Sequence, residues 1–181
     1  VAPRVRDHGD ITDVDAVVSR GSVMDAHYRR QPCSLYRPDG SVGHALPPAL
    51  STQTCSLRAG EARPALSVRF TVRDDGSHAR PPEIRRDTIC SHQQLTYADA
   101  NARFASDDRA WRTFAAVLQA WRNRCPRLRL QSADEAHRAV EFLMIKANEH
   151  VAHALQRAVQ DGRAEAVLLR AHMSGVSSGA H

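Results

Sequence analysis

Lysine is almost missing from this chain: of its 25 basic lysine and arginine side chains, Lys146 is the one lysine and the rest are arginine. Aromatic residues are scarce at 5%. No apolar run comes near the roughly 18 residues that a membrane-spanning helix needs, so such a helix is excluded and a soluble or peripheral protein with no membrane partner is expected. The four cysteines, Cys33, Cys55, Cys90 and Cys125, contain no C-x-x-C pair. That spacing implies neither a zinc ribbon nor a compact disulfide framework, and free buried thiols in a reducing, intracellular compartment are expected. There is no G-x-S-x-G, no phosphate-binding P-loop and no dinucleotide fingerprint. Ten histidines are scattered without a Ser/His/Asp or Cys/His arrangement. The chain starts at Val1 with neither Met nor a signal-like apolar core, which leads to the expectation of a processed or trimmed product.

What is present is enough for one domain. The 181 residues are 42% hydrophobic, above the disordered range, and carry a net charge of +5. Arginine binds phosphate bidentately and stacks on bases, so a polyanion such as RNA is a plausible partner. An arginine-favouring codon bias gives the same composition, and the composition by itself leaves the choice open.

The first 60 residues are broken by Pro32, Pro38, Pro47 and Pro48. Ile11, Val14, Val17 and Val18 suggest a short strand or turn. "SVMDAHYRR" at 22–30 reads as a helix with Ser22 as N-cap and Asp25 closing a capping box. "ALSVRFTV" is the clearest strand, with Leu66, Val68, Phe70 and Val72 on one face. "DDGS" turns the chain, and a second strand over about 83–90 completes an antiparallel hairpin. Thr96 is placed to cap a short helix with Asp99 at its third position. A helix over about 107–124 aligns Trp111, Phe114, Leu118 and Trp121. The longest helix, about 133–160, is expected to start at Ser132 with Glu135 as capping partner. Its apolar stripe would be Ala136, Val140, Leu143, Met144, Ala147, Val151, Leu155 and Val159, and Gly162 would end it. "EAVLLRAH" reads as a last strand, followed by a flexible tail.

Three constellations could carry chemistry. Asp10, Asp13 and Asp15 are hard oxygen ligands of the kind that hold magnesium, although the same pattern fits a solvated edge. Glu149, His150 and His153 share the long helix without H-E-x-x-H spacing, as a polar face would. Tyr36, beside Arg37, and Tyr97 fall where a ring could stack on an unpaired base or pack on a sheet.

Larger patterns go further. "DITDVDAVVSRGSVMD" is similar to H-I-A-D-V-S-x-Y-V-x-x-G-S-x-L-D. "SLYRPDGSVGHALPPALSTQTCSLRAGEARPALSV" follows S-V-Y-x-P, then P-M-L-P-x-x-L-S-x-x-L-C-S-L, then R-x-A-L-S. "IRRDTICSHQQLTYADAN" matches I-x-R-S-x-I-R-S-x-x-R-L-T-Y-E-x-V. "AHRAVEFLMIKANEHVAHAL" follows A-H-x-L-I-E-E-F-M-L-L-A-N-E-x-V-A, and "AVLLRAH" the L-x-R-V-H strand. In this order they resemble the RNB catalytic domain of the ribonuclease II and ribonuclease R exoribonucleases. The resemblance implies a mixed α and β (α+β) fold, an antiparallel sheet with long amphipathic helices packed on it. Residues 1–172 would form a partial RNB-like domain and 173–181 a flexible tail.

The resemblance also assigns residues. Tyr97 matches the tyrosine of L-T-Y, which in the family stacks near the 3′ end of bound RNA. Glu141 matches one of the paired glutamates of the long helix, whose partner position is Phe142 here. Arg63 matches the arginine ahead of A-L-S. Arg58, Tyr36 and Arg37 join them as RNA-contact candidates. The family's D-x-x-x-x-x-D-x-D-D magnesium cluster and its S-P-I-R-R-Y region are not among these 181 residues. Asp10 stands at the histidine before I-A-D, and the G-x-L-D-F-x-x-P-E stretch ahead of the long helix is missing. The expectation is therefore a non-catalytic domain without cofactor, with Asp10, Asp13 and Asp15 as weak metal candidates. It would bind RNA or scaffold a ribonucleoprotein, such as a mitochondrial ribosome, beside other proteins. The alternative is a magnesium-dependent 3′→5′ exoribonuclease acting on single-stranded RNA.

Overall fold

The alternating stretch read from the sequence becomes the middle strand of a three-stranded sheet. A computed structural model of the chain describes residues 4–30 and 33–167. Strand β1 (Arg4–Thr12) pairs antiparallel with β4 (Ala62–Arg73), which pairs antiparallel with β5 (Glu83–Cys90), giving the order β1-β4-β5. Between β1 and β4 lie a 3-10 turn (Val14–Ala16), α1 (Val23–Arg30), the short pair β2 (Leu35–Tyr36) and β3 (Val42–Gly43), and a π-helical turn (Ala49–Thr54). After β5 come α2 (Tyr97–Phe104), α3 (Arg109–Asn123) and α4 (Glu135–Gln160).

Strand β4, paired on both edges, is also buried on both faces: Val68, Phe70 and Val72 on one, Ala65, Ser67 and Thr71 on the other. Helices α3 and α4 pack against β1 and β4. The approach is close, since a Cβ at Gly9 of β1 would stand 3.7 Å from Ala147 Cβ of α4. The core centres on three rings: Phe70 lies 5.0 Å from Trp121, which meets Phe142 edge-on at 5.0 Å. Burying each of the two phenylalanines contributes about 1.5–3 kcal/mol.

Local signals set several of these ends. Thr96 and Asp99 form the full capping box, each side chain accepting the other's backbone N–H. Helix α4 ends in a Schellman motif at Gly162, with Arg163 N–H bonded to the Ala158 carbonyl and Gly162 N–H to that of Val159.

Other expectations are corrected. The region around Ile11 is the end of a nine-residue strand, and Val14 opens a 3-10 turn. Ser22 does accept the Asp25 N–H, but the Asp25 carboxylate takes the N–H of Gly21, so the capping box is displaced by one residue. Helix α4 is capped by Asp134, which accepts the His137 N–H, and Glu135 instead bonds Arg122 and Arg138. Its buried face is Ala136, Ala139, Phe142 and Ala147, while Val140 and Met144 are 42% and 60% exposed. Residues two apart on a helix diverge by about 200°, so Phe142 cannot share a face with either Val140 or Met144. The larger ring wins, and the small side chain of Ala139 lets it come close. The proposed last strand, 165–172, lies mostly outside the described residues, and 165–167 are not strand. The tail at 173–181 lies outside them entirely.

Candidate nucleic-acid interface

Tyr97 opens α2, where the Thr96 cap fixes its backbone. Its ring lies flat on that of His137 in the first turn of α4, with centroids 3.5 Å apart and planes 11° from parallel. Asp134 holds His137 in turn, its carboxylate 2.6 Å from Nδ1. The same carboxylate accepts the amide of Asn101 on α2 at 2.9 Å, and Asn101 accepts the Ala136 N–H. These bonds, led by the His137 N–H, lower the Asp134 pKa to about 2. The result is a rigid α2–α4 corner with a tyrosine ring 46% exposed at its edge. The sequence points to Tyr97 but not to His137, although the histidine stands in the "AHRAVEF" segment. Beside the corner is an apolar cavity of about 400 Å³, lined among others by Tyr97, Phe104, Trp111 and Leu143.

Glu141 sits one turn beyond His137. Its carboxylate accepts the backbone N–H groups of Gln131 and Ser132 at 3.0–3.1 Å. The Ser132 side chain and these N–H groups hold its pKa below the usual carboxylate range. In this position Glu141 ties down the segment entering α4.

The arginines lie in two other places. Arg58 and Arg63 flank Glu61 and both pair with it; Arg58 is exposed, whereas Arg63 is mostly covered and also donates to the Ala62 carbonyl. This loop is fastened to the end of β5 by the Gly60 N–H on the Ser91 carbonyl, 2.8 Å. Tyr36, 81% exposed, ends β2, and Arg37 opens the loop to β3, where its Nη1 donates to Ser41 Oγ. Tyr97, Arg58 and Tyr36 lie on three different parts of the chain: the start of α2, the loop before β4, and β2.

The aspartates are already engaged. Asp13 is buried, with its carboxylate 3.2 Å from Arg86 Nε, and Asp15 lies 2.6 Å from Arg86 Nη2. The two anions raise the Arg86 pKa, led by the hydrogen bond to Asp15. Asp10 stands on β1 opposite Ser67. Magnesium needs several oxygen donors free to converge on one point. Two carboxylates aimed at a guanidinium do not fit that need, and no other group of three acidic, histidine or cysteine side chains converges among the described residues.

Comparisons with known proteins agree with this architecture. A family model described as the RNB domain matches residues 10–174. Ribonuclease R of Aquifex aeolicus is 28% identical over an alignment covering 82% of this chain and 25% of that protein. RNase R of Mycoplasma genitalium, solved in complex with ribose-methylated single-stranded RNA, superposes with a TM-score of 0.73 at 21% identity, over 84% of this chain and 28% of that one. Yeast Ssd1, described as a pseudonuclease, superposes with a TM-score of 0.59 at 18% identity, over 67% of this chain and 15% of that one. The chain thus spans a quarter or less of the length of the curated relatives it matches. With a family model covering most of its residues and a sheet-and-helix fold shared with RNase R, this chain belongs to the RNB family.

Proposed function

We propose that these residues form an RNA-binding unit of RNB fold that holds single-stranded RNA and does not itself cut it. The observation that carries the reading is the capture of Asp13 and Asp15 by Arg86: two of the three candidate metal-binding carboxylates neutralise a protein cation. The binding half is supported by the exposed Tyr97 ring on its His137 platform and by the outward Arg58. An aromatic ring held rigid loses little entropy when a base stacks on it, and exposed arginines contribute phosphate contacts.

The test is affinity for a single-stranded RNA oligonucleotide across a salt series. The expected result is a linear fall of log affinity with log salt, by about 0.7 for each phosphate contacted. Absent or salt-insensitive binding contradicts the reading.

A second reading, a magnesium-dependent 3′→5′ exoribonuclease, is favoured by the relative named Ribonuclease R. It requires metal ligands other than Asp13 and Asp15. As the biological setting we propose a ribonucleoprotein, an organellar ribosome being one example, supported by the net charge of +5. Purification from the natural source free of RNA and other proteins contradicts that setting.

A further inference from the structure

A second concentration of positive charge lies where the chain leaves α3, and it uses none of the residues discussed above as RNA contacts. The segment after Asn123 runs Arg124-Cys125-Pro126-Arg127-Leu128-Arg129. The preceding Arg122 is turned inward, its side chain 10% exposed and bonded to Glu135. Arg124, Arg127 and Arg129 are instead exposed residues, and none of their side chains makes a hydrogen bond or ion pair within the described residues. Asp75 of the β4–β5 turn feels the charge of Arg124 without pairing to it.

Arg124 and Arg127 border a cavity of about 460 Å³ that Lys146 enters from α4, with Cys125 and Glu149 also on its wall. Lys146 is held 2.8 Å from Glu149, and its side chain is only 14% exposed. Burial works against its charge, yet the hydrogen bonds it donates toward Glu149 and Cys125 outweigh that and raise its pKa. The ring of Phe142 lies beneath it, 5.9 Å away. Lys146 is thus paired with Glu149 while Arg124 and Arg127, which border the same recess, are not, so its surface carries excess positive charge. A recess bordered mainly by one sign of charge focuses its field and attracts the opposite charge.

We infer that this cavity binds a backbone phosphate of single-stranded RNA, held by Arg124, Arg127 and Lys146. The inference rests on the RNA-binding reading above and adds a contact point to it. Two arginine forks can chelate non-bridging oxygens while Lys146 supplies a fixed point charge. Pro126 and Leu128 leave an apolar ledge on which a sugar can rest.

Cys125 provides a reporter inside the recess. The full chain is pulsed with iodoacetamide, with and without a single-stranded RNA oligonucleotide, and alkylation is read at each cysteine by mass spectrometry. In parallel, RNA affinity is measured for the Arg124→Ala/Arg127→Ala chain, the corresponding double Lys variant and Tyr97→Ala. Bound RNA is expected to slow alkylation of Cys125 several-fold. The double Ala variant is expected to bind about tenfold more weakly and to flatten the log–log salt slope by about 1.4, for two lost contacts. The double Lys variant should recover most of the affinity. Unprotected Cys125 together with a double Ala variant that binds like the unaltered chain overturns this site, even where Tyr97→Ala weakens binding. Equal protection by millimolar inorganic phosphate assigns the cavity to free phosphate and also overturns it. If the unaltered chain binds no RNA, the underlying reading fails as well.

Discussion

The ring of Tyr97 rests face to face on the ring of His137, so one face of the tyrosine is spoken for by the protein and the remainder is left at the surface. Asp134 fixes the histidine from below while capping the helix that carries it. One carboxylate thus sets both the start of α4 and the orientation of the aromatic platform.

If a base stacks on that platform, Tyr97→Ala weakens single-stranded RNA binding by about tenfold, within the 1–3 kcal/mol measured for base–aromatic stacking. Tyr97→Phe should bind as the unaltered chain does, because the ring and not the hydroxyl is used. Fluorescence anisotropy with a labelled oligonucleotide checks both, and equal affinity for all three chains rules the platform out.

Acid sensitivity is expected in two separate windows. His78 and His150 stand beside Phe70, 5.5 Å from one another, and burial pushes both below their ordinary pKa of 6.5, with Lys146 adding to the effect. Arg124 further depresses His78; for His150 the repulsion of His78 and His153 is partly offset by Glu149. Below 6.5 the unfolded chain takes up protons that the folded one resists, so stability is complete above that pH and falls as pH drops through it. The Asp134 contribution runs lower: it is present above 3.8 and lost as pH falls toward 2. Thermal melts from pH 8 to pH 5 should show the first decline, and His78→Phe should flatten it. A melting temperature unchanged over that range contradicts the assignment.

Helix α4 offers a direct comparison of two apolar positions. Phe142→Ala should cost about 3–5 kcal/mol, as expected for emptying a buried aromatic site. Met144→Ala, at a position 60% exposed, should stay within about 0.5 kcal/mol. Urea denaturation of both variants checks the order, which the apolar stripe read from the sequence would reverse or equalise.

That stripe shows where sequence reading stops. Thr96 with Asp99, the limits of β5 and the Gly162 stop were legible because each depends on residues within a few positions of one another. The face of α4 was not, because it is chosen by Trp121 on another helix and by the close approach of Ala147 to Gly9. Asp134 displaces Ser132 as the cap for the same kind of reason: Asn101 of α2 bonds Asp134, and Glu141 occupies the Ser132 N–H. At the interface, Tyr97 was visible through the ordered family segments. The His137 stack and the Arg86 clamp on Asp13 and Asp15 were hidden, because each joins residues far apart in the chain.

The β4–β5 turn should be intolerant at one atom. Gly76 adopts φ +77°, and a Cβ there would fall 2.4 Å from the Ala120 backbone. Gly40 has a similar φ of +80° in open space. Gly40→Ala is therefore expected to cost about 1–2 kcal/mol from backbone strain alone. Gly76→Ala adds a backbone collision and should cost clearly more. Equal losses in denaturant titrations would show that α3 does not pack on the turn.

Whether these residues hold RNA without cutting it is decided by an end-labelled single-stranded RNA. The chain is incubated with it in magnesium at a concentration where binding is saturated, and RNA length is followed on a denaturing gel. The expected result is a bound RNA of unchanged length. Progressive magnesium-dependent shortening from the 3′ end, by this chain alone, would contradict it.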